Sequence, residues 1–519
     1  MNNEFLTDWG LTLMVFLPAA GALVMLLIPK AEEQAHRWVS LVAVLASAGI
    51  GVAVLADFSY DRTADLQFVV DKPWIDVINA RYFVGIDGLS VPLVALTLLI
   101  TPLCIVYSWN HFPEPHNPKA FLILLLVLQT GMLGTFVAQD LILFFVFFEV
   151  VLLPMYFLIG VWGAEQRQYA AIKFFLFTLF GSALMIISFL ALYFVGGETF
   201  VIPELARNIS EPAAAGIEAV PLATQVLIFG GMFMGFGIKV PIFPFHTWLP
   251  DAHTQAPTVG SVILAAILLK LGTYGFIRVA LPILPEAAVE WAPYIGALAV
   301  IGIIYGALAC LAQTDMKRLI AFSSVSHMGF VMLGIATLTD FGLNAAVMGM
   351  VAHGIITGML FFLAGSVKER YHTLEIRRLG GILVKAPRMG WILGFTAMAS
   401  LGLPGLAGFW GEFPAILSAY DPGAGLSTVT FRVYMVIAAL GTVFAAGYLL
   451  WLYQRTSFGV PTDEFEDEAI ADVQVPEWIA WVPMLVLILV IGVYPNLVFR
   501  VTDDQLTSVA QMVASAVGG

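Results

Sequence analysis

Charge is what this sequence has least of. Asp, Glu, Lys and Arg make up 11% of the 519 residues and hydrophobic residues 60%, against about 25% and 45–50% in ordinary globular chains. With a mean hydropathy of +0.92, there is too little polar surface to cover a water-soluble body, which excludes a soluble enzyme and a disordered chain. Positive charge is scarcer still. The 23 Lys and Arg stand against 36 Asp and Glu, a formal net charge of −13, so no basic field exists to attract nucleic acid. The two cysteines, Cys104 and Cys310, both lie in apolar runs and can build neither a disulfide framework nor an iron–sulfur cluster. No Lys is followed by Ser or Thr, and His-Glu-x-x-His, Cys-x-x-Cys and dinucleotide fingerprints are missing, which removes the usual phosphate and metal motifs. Residues 1–10 hold no Lys or Arg, so the basic start of a signal peptide is missing and the first apolar run is expected to stay as a membrane helix.

Long apolar runs are what the chain has in abundance. A spanning helix needs about 20 apolar residues, and that window predicts an all-α polytopic membrane protein with about 14 transmembrane helices. They fall near 9–29, 37–56, 88–109, 119–138, 139–161, 169–196, 222–240, 256–281, 293–312, 318–337, 342–365, 389–417, 430–454 and 478–500. The stretch 57–87 alternates locally (Leu66-Gln67-Phe68-Val69-Val70) and suits a small surface hairpin. Segment 457–477, with Asp463, Glu464, Glu466, Asp467 and Glu468, reads as a solvated acidic connector. Loops after odd-numbered helices hold 14 Lys and Arg; those after even-numbered helices, with the tail, hold 7. By the positive-inside rule both termini face away from the cytoplasm.

Two helices are broken by Pro and Gly beside one ionisable residue. Helix 7 ends in Gly237-Ile238-Lys239-Val240-Pro241-Ile242-Phe243-Pro244, and helix 12 contains Gly402-Leu403-Pro404-Gly405-Leu406-Ala407-Gly408-Phe409-Trp410-Gly411-Glu412. The odd offset of five helices between them predicts two inverted five-helix repeats, each with a broken helix, the arrangement that marks ion pathways in transporters. The expected organisation is 1–118 for helices 1–3 with the hairpin and 119–281 for the first repeat. Residues 282–455 form the second, inverted repeat, and 456–519 the acidic connector with helix 14.

An ionisable group at a helix centre costs roughly 2.5–3.5 kcal/mol on insertion scales, so each needs a reason. Glu149 has no other polar side chain for two turns on either side, and Lys270 is as isolated. Lys239 precedes a Pro-broken stretch whose freed carbonyls can solvate an ammonium, and Glu412 repeats the situation in the second half. Burial shifts lysine and glutamate pKa values toward the range where a proton can be passed on. His327 and His353, in helices 10 and 11, suit a relay between lysines and carboxylates. His246 and His253 flank Trp248-Leu249-Pro250-Asp251 at a mouth where water can enter. Each group also has a structural reading: ion pairing that only fixes packing for Glu149, Lys239 and Lys270, snorkelling for Glu412, satisfied core histidines for His327 and His353, and loop capping for His246 and His253. Moving one proton against about 200 mV costs roughly 4.6 kcal/mol. The chain carries no device to supply that energy, so it must exchange ions or draw on a partner.

The runs Phe145-Val146-Phe147-Phe148-Glu149-Val150-Val151-Leu152-Leu153-Pro154-Met155-Tyr156, Lys239-Val240-Pro241-Ile242-Phe243-Pro244-Phe245-His246-Thr247-Trp248-Leu249-Pro250-Asp251-Ala252-His253 and Ser324-Val325-Ser326-His327-Met328-Gly329 resemble the antiporter-like membrane subunits of respiratory complex I. The resemblance covers about 85–510 and leaves the first two helices resting on hydropathy. Glu412, where sibling subunits usually carry Lys, and a chain that stops soon after helix 14 single out one subunit type. The resemblance implies a proton-translocating subunit in a bacterial cell membrane, with Glu149, Lys239, Lys270 and Glu412 as channel positions and His327 and His353 along a central polar axis. It further implies that the Glu149–Lys239 pair opens or closes, that this changes the proton affinity of Lys270, and that Glu412 releases the proton outward. No cofactor is expected in this chain; NADH, FMN, iron–sulfur clusters and quinone belong to partner subunits, and the nearest partners are neighbouring antiporter-like subunits and the lipid bilayer. The alternative is a subunit of a multisubunit Mrp-type Na⁺/H⁺ antiporter, against which Glu412 argues. A purely structural scaffold would leave four buried ionisable groups without purpose.

Overall fold

The computed structural model describes residues 3–109 and 111–518. Thirteen helices among them are long and apolar enough to cross a membrane: α1 (Leu6–Leu27), α2 (Glu33–Asp57), α3 (Ser90–Tyr107), α4 (Pro118–Val137), α5 (Leu141–Trp162), α6 (Arg167–Val195), α7 (Leu222–Lys239), α8 (Thr258–Ile283), α9 (Pro285–Leu311), α10 (Met316–Ala336), α11 (Asp340–Tyr371), α13 (Thr428–Ser457) and α14 (Val475–Val493). The fourteenth crossing, α12, is split into Pro387–Ser400 and Ala407–Ser418, each half too short to span alone. Its break holds Pro404 between Gly402 and Gly405, both at positive φ, so no helix can continue through it. The first break matches. After Lys239 the chain leaves helix through Pro241 and Pro244 and resumes as a short helix, Trp248–Gln255.

Helices α8, α10 and α11 are the most interior. All of the most apolar stretch of α8 and of α11, and 94% of that of α10, is buried by other helices, against 28% in α13 and 33% in α2. Lipid therefore meets the outer helices, and ionisable groups on α8, α10 and α11 are insulated from it. Close approach makes the centre tight: a Cβ built on Gly411 would stand 2.5 Å from the Gly349 Cα, so α11 and the second half of α12 touch backbone to backbone.

Loops sort onto two faces. On one, β1 (Gln67–Ile75) and β2 (Ala80–Ile86) form an antiparallel hairpin, and β2 is bound to the α4–α5 connection through Gln139 N–H donating to the Phe83 carbonyl at 2.9 Å. Asp140 then caps α5, accepting from the backbone of Ile142 at 2.9 Å and of Leu143 at 3.0 Å. The opposite face carries most of the basic residues. There the acidic connector is not simply solvated: Arg378 pairs with Glu464, Lys385 donates to the Glu466 carbonyl at 2.5 Å, and Asp472 accepts from the backbone of Arg388 at 3.0 Å. The Arg378 guanidinium holds the Glu464 carboxyl below its usual range. Behind this surface Arg370 and the buried Glu477 form a two-pronged pair at 2.8 and 2.6 Å.

One element departs from expectation. Residues 501–519 read as a tail, yet α15 (Asn496–Gly518) is a helix. Pro495 ends α14, and α15 then turns onto the hairpin face, where Asn344 donates to Asp503 at 3.0 Å and Thr63 to Asp504 at 3.1 Å. The amphipathic spacing of its Val498, Val501, Leu506, Val509 and Val513 explains why it folds down; these residues are buried.

Gly411→Ala is expected to cost about 1–3 kcal/mol, the usual cost of overpacking, read as a lower unfolding midpoint of the detergent-solubilised protein. Glu477→Leu should cost about 3–5 kcal/mol by stranding Arg370, while Glu477→Leu combined with Arg370→Leu recovers most of it; equal loss in both would mean that the pair is not what holds the connector.

Candidate functional site

α8 is not a regular helix. Two π-helical turns, Leu264–Leu268 and Phe276–Ala280, bracket Lys270, and such turns loosen the backbone ladder. The Lys270 ammonium uses the first of them, donating to the Ala265 carbonyl at 2.6 Å, and lies 2.6 Å from His353 Nδ1 on α11. The His353 and His327 ring centroids are 6.0 Å apart. His327 Nδ1 on α10 stands 2.5 Å from Glu412 Oε1, and its Nε2 lies 3.1 Å from the Tyr448 hydroxyl and 3.3 Å from Ser400 Oγ. Lys270, His353, His327 and Glu412 thus form one buried file across four helices.

The gap in the file is between the two imidazoles. A cavity of about 20 Å³ lies there, lined by His327, His353, Thr357, Ser400 and Glu412, room for about one water. His353 Nε2 and Thr357 Oγ1 are buried without a protein partner. A water in that space would have the two to four polar partners such a site requires.

Glu149 and Lys239 lie apart from this file, on α5 and at the end of α7. Pro154 has no N–H for the Val150 carbonyl, and α5 is interrupted at Val151, one turn before it. Glu149, just before the interruption and partly exposed, accepts from Ser182 Oγ on α6 at 2.5 Å. Lys239 is buried; it donates to the Phe148 carbonyl at 3.2 Å and lies 4.1 Å from the centre of the Phe148 ring. The two form no direct ion pair among the described residues, and are neighbours through the Phe148 backbone. His253 is fully buried against Phe361 at 4.4 Å, both ring nitrogens unpartnered. His246 stacks on Phe243 at 5.6 Å and meets Tyr305 edge-on at 4.8 Å, and is not brought to the file.

Each face has a larger cavity. On the basic face, about 520 Å³ is lined by His111, Gln255, Thr258, Lys317, Lys368 and Glu369, one turn from His253. On the hairpin face, about 1140 Å³ reaches Asp87, Gln139, Gln225 and Arg278.

Among known families, residues 138–439 match the one described as NADH:quinone oxidoreductase/Mrp antiporter, transmembrane, and residues 22–135 match NADH-ubiquinone oxidoreductase chain 4, amino terminus. The chain belongs to the chain 4 family of NADH:quinone oxidoreductase. NADH-quinone oxidoreductase subunit M of Rhodobacter capsulatus is 39% identical over 509 residues, 97% of this chain and 96% of that one. NAD(P)H-quinone oxidoreductase chain 4 2 of Thermosynechococcus vestitus is 39% identical over 517 residues, covering 99% and 94%. A chain of respiratory complex I from Thermus thermophilus with bound NADH superposes with a TM-score of 0.84 at 28% identity, over 97% of this chain and 99% of that one. A chain of the Mrp complex from Dietzia superposes at 0.81 with 22% identity, over 97% of this chain and 52% of that one, a likeness of fold alone. The subunit type expected from the sequence is the one for which these relatives are named. The match at 22–135 carries the family into the first two helices, beyond where the quoted motifs reach.

For a chain 4 subunit, sequence reasoning missed several polar groups that the structure brings in. Lys317, counted only as a loop charge, is buried and donates to the Ala256 carbonyl at 2.5 Å, at the end of the short helix bearing His253. Tyr448, Ser400 and Ser182 carry no charge to betray them in an apolar run. Arg278 lies eight residues after Lys270, two turns on, a spacing that was readable.

Proposed function

We propose that this chain carries one proton route of a bacterial NADH:quinone oxidoreductase, the buried file from Lys270 through His353 and His327 to Glu412 being the relay. The closeness of these four groups, with room for one water between the imidazoles, is the observation that carries the reading. A lysine or imidazole can release one proton and take up another, and an imidazole accepts at one nitrogen while donating from the other, so the file can pass protons without any group leaving its helix. The cavity on the basic face, with Lys317 and His253 behind it, supplies Lys270; Glu412, toward the hairpin face, discharges. Residues 119–281 and 282–455 serve as the two inverted half-routes, and residues 1–118 and 456–519 flank them. Both termini lie on the non-cytoplasmic side, in line with the excess of Lys and Arg on the other face.

Glu149 and Lys239 act as the input. Removing or restoring charge on either changes the potential at Lys270, and low dielectric makes that influence larger than in water. Energy comes from quinone reduction in partner subunits, where NADH, FMN, iron–sulfur clusters and quinone are handled; this chain contributes the proton path and binds no redox group.

The test is proton pumping by the whole complex in vesicles. Lys270→Met and His353→Ala are expected to slow NADH-driven proton uptake by on the order of 10²-fold, the typical share of a positioned acid–base group, with NADH oxidation by an artificial acceptor unchanged. Glu149→Gln or Lys239→Ala should lower the proton-to-electron ratio while leaving assembly intact. Normal stoichiometry in all four would sink the relay. Proton exchange that requires sodium and ignores NADH would instead favour the Mrp-type reading.

A further inference from the structure

The hairpin-face cavity approaches Lys270 along a second direction, and a buried ion pair stands in the way. Lys270 and Tyr274 are one turn apart on α8, about 6 Å along its axis. Arg278 follows in the second π-helical turn, its Nε donating to the Tyr274 hydroxyl at 3.0 Å. The guanidinium then grips Asp87 with both prongs, at 2.6 and 2.5 Å, and reaches Ser90 Oγ at 3.3 Å. Asp87 is fixed in turn by the backbone N–H groups of Leu89 and Ser90 at 3.1 and 3.2 Å, and Tyr274 by donation to the Phe136 carbonyl at 2.9 Å. Asp87 and Arg278 form the floor of the cavity. Gln139 and Gln225, which also line it, keep buried side-chain oxygens with no protein partner, the mark of a hydrated space.

We infer that Asp87, Arg278 and Tyr274 form a seal between this cavity and Lys270, preventing protons on the hairpin side from reaching the lysine end of the relay without passing Glu412. The inference rests on the relay and sidedness proposed above. A guanidinium suits the task because it does not give up its proton in proteins and its fixed positive charge repels an approaching one. The Tyr274 proton is already committed to a backbone carbonyl.

Passive proton permeability of the reconstituted complex, without NADH, tests it. Arg278→Gln removes the cation, whereas Asp87→Asn keeps an acceptor for the two backbone N–H groups and leaves the cation without its counter-charge. Arg278→Gln is expected to raise the leak on the order of tenfold, equivalent to about 1.4 kcal/mol off the barrier, and Asp87→Asn to leave it no higher than in the unsubstituted complex, both with NADH oxidation by an artificial acceptor unchanged. Arg278→Lys should restore most of the tightness, and adding Lys270→Met to Arg278→Gln should abolish the leak. Tyr274→Phe, which loses one hydroxyl, carries the test if Arg278→Gln fails to assemble, and its leak should rise and depend on Lys270 in the same way. An assembled Arg278→Gln variant as tight as the unsubstituted complex, or a leak that survives Lys270→Met, would overturn the seal. Failure of the relay is seen separately, as normal pumping by Lys270→Met alone.

Discussion

A charge inside an apolar bundle needs a partner that the bundle itself must supply, and the rest of this structure follows from that constraint. Side chains of opposite sign are few, so backbone carbonyls freed from helices do much of the solvating. Lys270 takes the Ala265 carbonyl from a π-helical turn, Lys239 takes that of Phe148, three residues before α5 is interrupted, and Lys317 takes that of Ala256 at a helix end. Helix irregularity and ionisable side chain therefore occur together. The irregularity costs hydrogen bonds locally, and the ammonium that it receives recovers part of that loss.

Small residues complete the arrangement. Glu412 reaches His327 because its neighbour Gly411 lets α12 lie against Gly349 on α11, four residues from His353. Packing density and proton chemistry are thus coupled at one contact. A bulkier pair there would separate the carboxylate from the imidazole by more than a hydrogen bond allows.

The parts of this design legible in the sequence are those that violate hydropathy. Glu149, Lys239, Lys270 and Glu412 stand out in apolar runs, and the Pro and Gly breaks beside Lys239 and Glu412 are visible by composition. Helix count was readable for the same reason. Long-range pairing was not: Asp87 and Arg278 are 191 residues apart, and nothing in the sequence joins the end of the hairpin stretch to the second half of helix 8. Nor do the π-helical turns of α8 have a residue signature, since Leu264–Leu268 is an ordinary apolar run whose register is set by what packs around it. α15 escaped a search for spanning segments because its apolar residues occupy one face, and the acidic connector looked solvated because its basic partners lie some 85 residues earlier in the chain.

Direction is the remaining physical question, and the placement of the charges bears on it. Glu149 lies at the partly exposed edge of the bundle, Lys239 is inside, and Lys270 is fully buried among α8, α10 and α11. In the proposed route a disturbance from a neighbouring subunit would reach the carboxylate first and the ammonium of Lys239 next, and Lys270 would feel it as like-charge repulsion. In the proposed route the last acceptor is the Glu412 carboxylate, held against His327 Nδ1. Return along the same file is blocked once Lys270 has been reprotonated from the basic face, because a protonated lysine has no lone pair with which to accept. Direction in that route therefore rests on which side reprotonates Lys270, and it holds only where no second aqueous route reaches Lys270 from the side where protons are released.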